Sequence, residues 1–200
     1  MPGRNTVKQY ITDGHYHIYN RGVEKRQIFL DDQDYRVFLS YLKRYLSPSD
    51  LEDQHITREF RDLSHNVQLI AFCLMPNHFH LLVKQISERG MADLMRGVST
   101  RYSMYFNRKY DRVGGLFQGI YKAAFINQDE YFVHLSRYIH RNPDSYQNYP
   151  YSSYQYYLSR DPVWLRSSSV LELFDSVKEY KTFVESKENS DTLLGSLTLE

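Results

Sequence analysis

Val67–Gln85 reads VQLIAFCLMPNHFHLLVKQ, two strand-length apolar runs on either side of Pro76 and Asn77. Proline has no N–H to give a ladder, so the chain must break its pairing there and the two runs become neighbouring strands. Side chains alternate along a strand. Phe79, Leu81 and Val83 therefore take one face, and His78, His80, Leu82 and Lys84 take the other. The two imidazoles stand about 6.5 Å apart on one face of a strand that otherwise reads as buried. A second pair with the same spacing, His15 and His17 in GHYHIYN, shows that the spacing alone decides nothing.

The rest of the chain supplies elements for a sheet to work with. HYHIYNRG reads as a first strand ending at Gly22. DDQDYRVFLSYLKRYL opens on acids and repeats apolar residues at helical spacing, Tyr35, Phe38, Leu39, Leu42 and Leu46. Residues 47–66 are polar and read as a long connection, with room for a short helical turn. Met91 to Tyr110 is a second amphipathic helix, broken by Gly114-Gly115, and GIYKAAFI reads as a fourth strand. Asn127 and Glu130 have the spacing of a capping box for a third helix, which should stop near Asn142 because Pro143 follows. The order strand, helix, strand, strand, helix, strand, helix predicts an α+β, ferredoxin-like (split βαβ) sandwich, an antiparallel sheet with helices packed on it. A domain over residues 1–160 is expected, followed by an acidic C-terminal extension over 161–200. That extension reads as a peripheral helical appendage, one helix from Val170 to Val184 and a frayed end.

Composition narrows the class. Cys73 is the single cysteine, so no internal disulfide is available and a reducing, cytoplasmic setting is expected. No stretch approaches the roughly 20 apolar residues of a membrane span, and the N-terminus lacks an apolar signal core. The chain is rich in tyrosine, 19 residues beside 11 Phe and 1 Trp, which suits a large amphipathic core or stacking surfaces for bases. The net charge of +1 hides an uneven distribution. Residues 96–141 hold eight Lys/Arg against three acids, whereas 161–200 hold eight acids against four Lys/Arg. A basic middle points to a polyanion partner, although a solvated helix face would look the same.

The histidine pair admits several chemistries. A structural zinc site would want more ligands than one cysteine allows. A histidine-triad hydrolase would want a third histidine where Leu82 stands. A core pair hydrogen-bonded inside the sheet remains open. A hard divalent ion on two imidazoles would keep open positions for phosphate oxygens. The third helix then offers a hydroxyl and an amide four residues apart on one face, Tyr138 and Asn142, with Arg137 and Arg141 on neighbouring faces. Tyr131, seven residues before Tyr138, is the rival tyrosine on that face.

At this point the chain resembles the HUH-type single-tyrosine transposases of insertion sequences, in particular the REP-associated tyrosine transposases. The segments YHIYNRGVEKRQIF, FCLMPNHFHLLV, RYSMYFNRKYDRVGGLFQGIYKAAF, YIHRNP and YPYSSYQYYL carry the resemblance, in order, over about residues 10–160. It implies a DNA transposase that nicks and rejoins single-stranded DNA through a 5′-phosphotyrosine link, with a 3′-hydroxyl leaving. It puts Mg2+ or Mn2+ on His78 and His80, a third metal ligand on Asn142 and the nucleophile on Tyr138. Many relatives have Gln where Asn142 stands. Arg21, Arg101, Arg108, Arg112, Lys122, Arg137 and Arg141 become the expected DNA phosphate contacts, and Gln118 a contact to a base edge. His15 and His17 fall on the opening strand and read as structural. The implied partner is single-stranded or hairpin DNA, with a homodimer left open and no membrane. Two other readings stand beside it: a non-catalytic single-stranded nucleic-acid-binding module, and a metal-dependent phosphodiesterase that needs no tyrosine.

Overall fold

The structure is a computed structural model that describes residues 8–48, 60–127 and 129–186. Four strands, β1 (His15–Arg21), β2 (Val67–Met75), β3 (His78–Gln85) and β4 (Lys122–Ile126), form one sheet in the order β2-β3-β1-β4. Every neighbouring pair is antiparallel. Two helices connect them, α1 (Asp32–Leu46) and α2 (Gly90–Lys109), and a third, α3 (Asp129–Arg141), follows β4. This is the expected split βαβ sandwich, with the turn at Pro76-Asn77 where proline demanded it.

Local chemistry sets the boundaries. The Asp31 side chain accepts from the Asp34 N–H and opens α1, and Asp32 and Asp34 place acids in its first turn, where the helix dipole favours them. β4 starts at Lys122 rather than at Gly119. Gly119 has φ of 71°, a left-handed turn conformation that no strand contains. The expected helical turn in the connection after α1 falls largely on residues 49–59, outside the described residues. The cap of α3 meets the same limit, because residue 128, immediately before Asp129, lies outside them.

The alternation of β3 divides the core in two. Phe79, Leu81 and Val83 face Phe38 and Leu42 of α1 and Leu94, Val98 and Tyr102 of α2. Leu82, with Ile70, Ala71 and Ala124, faces Leu135 and Ile139 of α3. A register shift between Leu69 and Ala71 lets both Ile70 and Ala71 join that second cluster.

The C-terminal segment corrects the sequence reading. After a short helix α4 (Tyr154–Tyr157), two more, α5 (Ser168–Leu171) and α6 (Val177–Glu185), stand where one helix over 170–184 was expected. They are not peripheral: Tyr154, Tyr157, Val170, Tyr180 and Val184 are buried in the α3-side cluster. The break has a local cause, since Ser176 is extended and accepts from the Glu179 N–H while Glu179 accepts from the Asp175 N–H. Backbone bonds from Leu74 to Tyr151, Ser153 to Phe72 and Arg166 to Leu69 lay this segment along the outer edge of β2. No helix among the described residues is long and apolar enough to cross a membrane.

Candidate active site

β3 and α3 meet on the second face of the sheet, and their side chains build the site. Asn142 follows the last residue of α3 and precedes the buried Pro143, so helix geometry ends there and the amide turns back toward β3. Its Oδ1 lies 3.2 Å from His78 Nε2. The other ring nitrogen, Nδ1, lies 2.6 Å from Asn77 Oδ1. Burial holds the His78 imidazole below its usual range, opposed by the Asn142 contact and reinforced by the Arg21 charge. A neutral imidazole has one N–H to offer two oxygen acceptors. With both amide oxygens turned toward the ring, only one of the two contacts can be a hydrogen bond, and the other leaves an imidazole lone pair facing an oxygen.

His80 is fully buried, and its ring centroid is 4.9 Å from that of His78. Burial is the largest cause, with the His17 and His78 charges adding to it, of an imidazole held well below its usual range. Its Nδ1 lies 2.9 Å from His17 Nε2. Its Nε2 is buried and has no hydrogen-bond partner. Leaving such a group unpaired costs about 1–3 kcal/mol. An orphaned imidazole nitrogen beside the His78–Asn142 pair fits a divalent ion. Among the described residues no three His, Cys, Asp or Glu cluster as ligands, and the donors that could hold such an ion here are two imidazoles and one amide oxygen.

Tyr138 stands against His80 and His17. Its half-buried ring meets His80 edge-on, with centroids 5.5 Å apart at 84°, and meets His17 at 6.2 Å and 77°. Tyr131 lies two turns away, packed against the α3-side cluster. The α3 face thus brings together four of the expected residues: His78, His80, Tyr138 and Asn142. His17 joins them, which sequence reasoning had set aside with His15 as structural. The strand order supplies the reason: β1 is a central strand paired with β3, and its odd-numbered side chains share the face of His78 and His80.

The expected DNA contacts divide into three groups. Arg21 pairs across the sheet with His78, and its Nε donates to Gln118 Oε1 at 2.5 Å. Gly22 closes that corner: its N–H donates to the Asn77 carbonyl, and a Cβ on it would come within 2.2 Å of the Arg26 carbonyl oxygen. Lys122 pairs with Tyr19, which in turn pairs with His80, and its ammonium lies over the Tyr19 ring. Arg21, Gln118 and Lys122 thus gather at the histidine end of the sheet. Arg101, Arg108 and Arg112 do not. They belong to α2 and its exit on the opposite face, where Arg101 covers the Phe60 ring and donates to the Tyr45 hydroxyl, and Arg112 donates to Asn107. Arg137 and Arg141 both donate to the Ser186 carbonyl, at 2.6 and 2.9 Å. Arg137 is 0 % exposed. Its guanidinium sits inside the protein, tying α3 to the end of α6 rather than facing solvent.

Residues 10–142, more than half of the chain, match the family described as IS200-like transposases. A solved structure of a REP-associated tyrosine transposase bound to a REP hairpin is similar in fold, with a TM-score of 0.56 at 15% identity, covering 79% of this chain and 88% of that one. A second solved structure, described as a transposase candidate from Deinococcus radiodurans R1, aligns with a TM-score of 0.41 at 14% identity, covering 67% of this chain and 94% of that one. No curated protein matches the sequence. The matched span contains both strands of the histidine hairpin and the whole of the tyrosine helix, and the chain belongs to the IS200-like transposase family.

Proposed function

We propose that this transposase nicks and rejoins single-stranded or hairpin DNA through a covalent link to Tyr138. The observation that carries the reading is the chain of contacts in which Asn142 Oδ1 meets His78 Nε2, the His78 ring meets that of His80, whose Nε2 is unpartnered, and the Tyr138 ring meets His80 edge-on. His78, His80 and Asn142 would hold a divalent ion, magnesium or manganese, whose bound form supplies Lewis-acid polarisation of a phosphate oxygen. Arg21 and Lys122 supply positive charge beside that position and orient the phosphodiester. Gln118, held by Arg21, faces the same end of the sheet and is exposed for a base edge.

The Tyr138 oxygen forms the new bond to phosphorus as the phenol proton passes to water. The bond from phosphorus to the 3′ oxygen breaks, and that oxygen leaves as a hydroxyl after taking a proton. One phosphodiester is exchanged for another, so no nucleotide cofactor is consumed and a returning 3′-hydroxyl reverses the step. The half-buried ring restricts where the phenol can point, which lowers the entropic cost of alignment.

A hairpin oligonucleotide with a single-stranded flank, incubated with Mn2+ and run on a denaturing gel, tests the reading. A protein–DNA adduct that is lost in Tyr138→Phe supports it. Cleavage that survives the substitution indicates a phosphodiesterase, and retention without cleavage indicates a binding module.

A further inference from the structure

Resting on that reading, we infer that His17 is a positioning residue: it accepts the Nδ1 proton of His80 and so keeps the Nε2 lone pair of His80 bare toward the site. The two rings are buried and stacked, with centroids 5.1 Å apart and 21° between planes, and one nitrogen of each meets at 2.9 Å. A neutral pair holds one proton in that contact, which leaves two arrangements. In the first, His80 carries hydrogen on Nδ1 and donates to His17 Nε2. In the second, His17 carries the hydrogen and donates to His80 Nδ1, which forces the His80 proton onto Nε2.

The surroundings choose between them. His80 Nε2 is buried and makes no hydrogen bond, so a hydrogen there would be a stranded N–H that also blocks ligation. The first arrangement presents a lone pair to the position flanked by His78 and Asn142. Metal-binding imidazoles are commonly fixed through the nitrogen that does not ligate. Here that partner comes from a neighbouring strand, because the odd-numbered residues of β1 share the face of His78 and His80. The His17 ring also meets Tyr138 edge-on, so one side chain braces both the ligand strand and the tyrosine.

Long-range 15N–1H correlation spectra of the metal-free protein, with His80 assigned from a His80→Gln variant, read the tautomer directly. The Nδ1–H form is expected for His80 in the unsubstituted chain, and the Nε2–H form there overturns the inference whether or not any variant folds. Mn2+ titration by calorimetry gives the second readout. His17→Phe, which keeps a ring but has no acceptor, should weaken Mn2+ binding by roughly ten- to a hundred-fold. His17→Gln, whose amide oxygen can accept the same proton, should restore most of it. Unchanged binding in His17→Phe, or a loss that Gln does not repair, would assign His17 to packing alone. If the unsubstituted chain binds no Mn2+, the metal reading fails while the tautomer spectrum still decides the role of His17.

Discussion

Asn142 reaches His78 across 64 residues of sequence, its Oδ1 3.2 Å from the imidazole Nε2, and by doing so ties the end of the tyrosine helix to the ligand strand. Asn142→Ala removes one oxygen and should weaken Mn2+ binding roughly ten-fold, by calorimetric titration. The fold should persist, because Asn142 is only half-buried and lies beyond the last helical turn.

Tyr138 and Tyr131 share a helix face but not a setting. Tyr138→Phe should abolish the DNA adduct while leaving the thermal midpoint within a few degrees of the unsubstituted chain. Tyr131→Phe should keep the adduct. An adduct lost only in the second variant would move the nucleophile two turns along α3.

The basic residues separate by location. Arg21→Gln and Lys122→Gln should each weaken single-stranded DNA binding and lower the slope of log affinity against log salt by about 0.7. Arg137→Leu should leave that slope unchanged, because its guanidinium is spent on the Ser186 carbonyl inside the protein. Its effect should appear instead as a lower unfolding midpoint. Fluorescence anisotropy across a salt series distinguishes the two behaviours.

Asp34 is fully buried at the start of α1, accepting from the Lys109 ammonium at 2.8 Å and from the Tyr105 and Tyr110 hydroxyls. Burial works against the Lys109 charge, but hydrogen bonds to Asp31, Asp34 and the two tyrosines outweigh it and hold the ammonium above its usual range. Lys109→Met leaves the buried carboxylate without its counter-charge and should cost about 3 kcal/mol of stability in urea unfolding. The double variant Lys109→Met/Asp34→Leu should recover part of that loss.

His140 provides a pH signature. Its nitrogens lie 2.7 Å from the Tyr180 and Ser153 hydroxyls, and burial pulls the imidazole down to about 3. An unfolded histidine titrates near 6.5, so between about pH 3 and 6.5 the unfolded chain binds the extra proton. Stability therefore rises with pH across that window, by up to about 1.4 kcal/mol per pH unit, and this contribution is flat above it. Lowering the pH from 7 to 5 should cost about 2 kcal/mol through His140, measured as a shift of the urea midpoint. His80, also held low by burial, acts in the same direction.

Much of this architecture was legible because it rests on period and punctuation. Asp31 opened α1, Pro76 broke the hairpin and Pro143 closed α3, each through a constraint that tertiary packing leaves intact. The site residues on β3 and α3 were legible through the quoted segments. Other features were hidden because they depend on which surfaces meet. The basic character of Arg137 gave no sign that the Ser186 carbonyl would draw it inside. Tyr154, Tyr157 and Tyr180 lie in helices too short to show periodicity, so their burial could not be read. The break before α6 did carry a signal, the Ser176–Glu179 capping box, which the apolar spacing on either side had masked. His17 needed the strand order: only with β1 beside β3 do two His-x-His segments share a face.

The strip formed by Tyr151, Ser153 and Arg166 has a consequence for how molecules of this transposase can associate. It occupies backbone groups of Leu69, Phe72 and Leu74 that an incoming chain would otherwise pair with. A second molecule seeking to extend the sheet is left with the opposite margin, along Lys122–Ile126, where Lys122 would carry positive charge into the seam. Any such assembly would draw Lys122, one of the proposed DNA contacts, into its seam, so recruitment of a twin and of a strand would compete for one side chain.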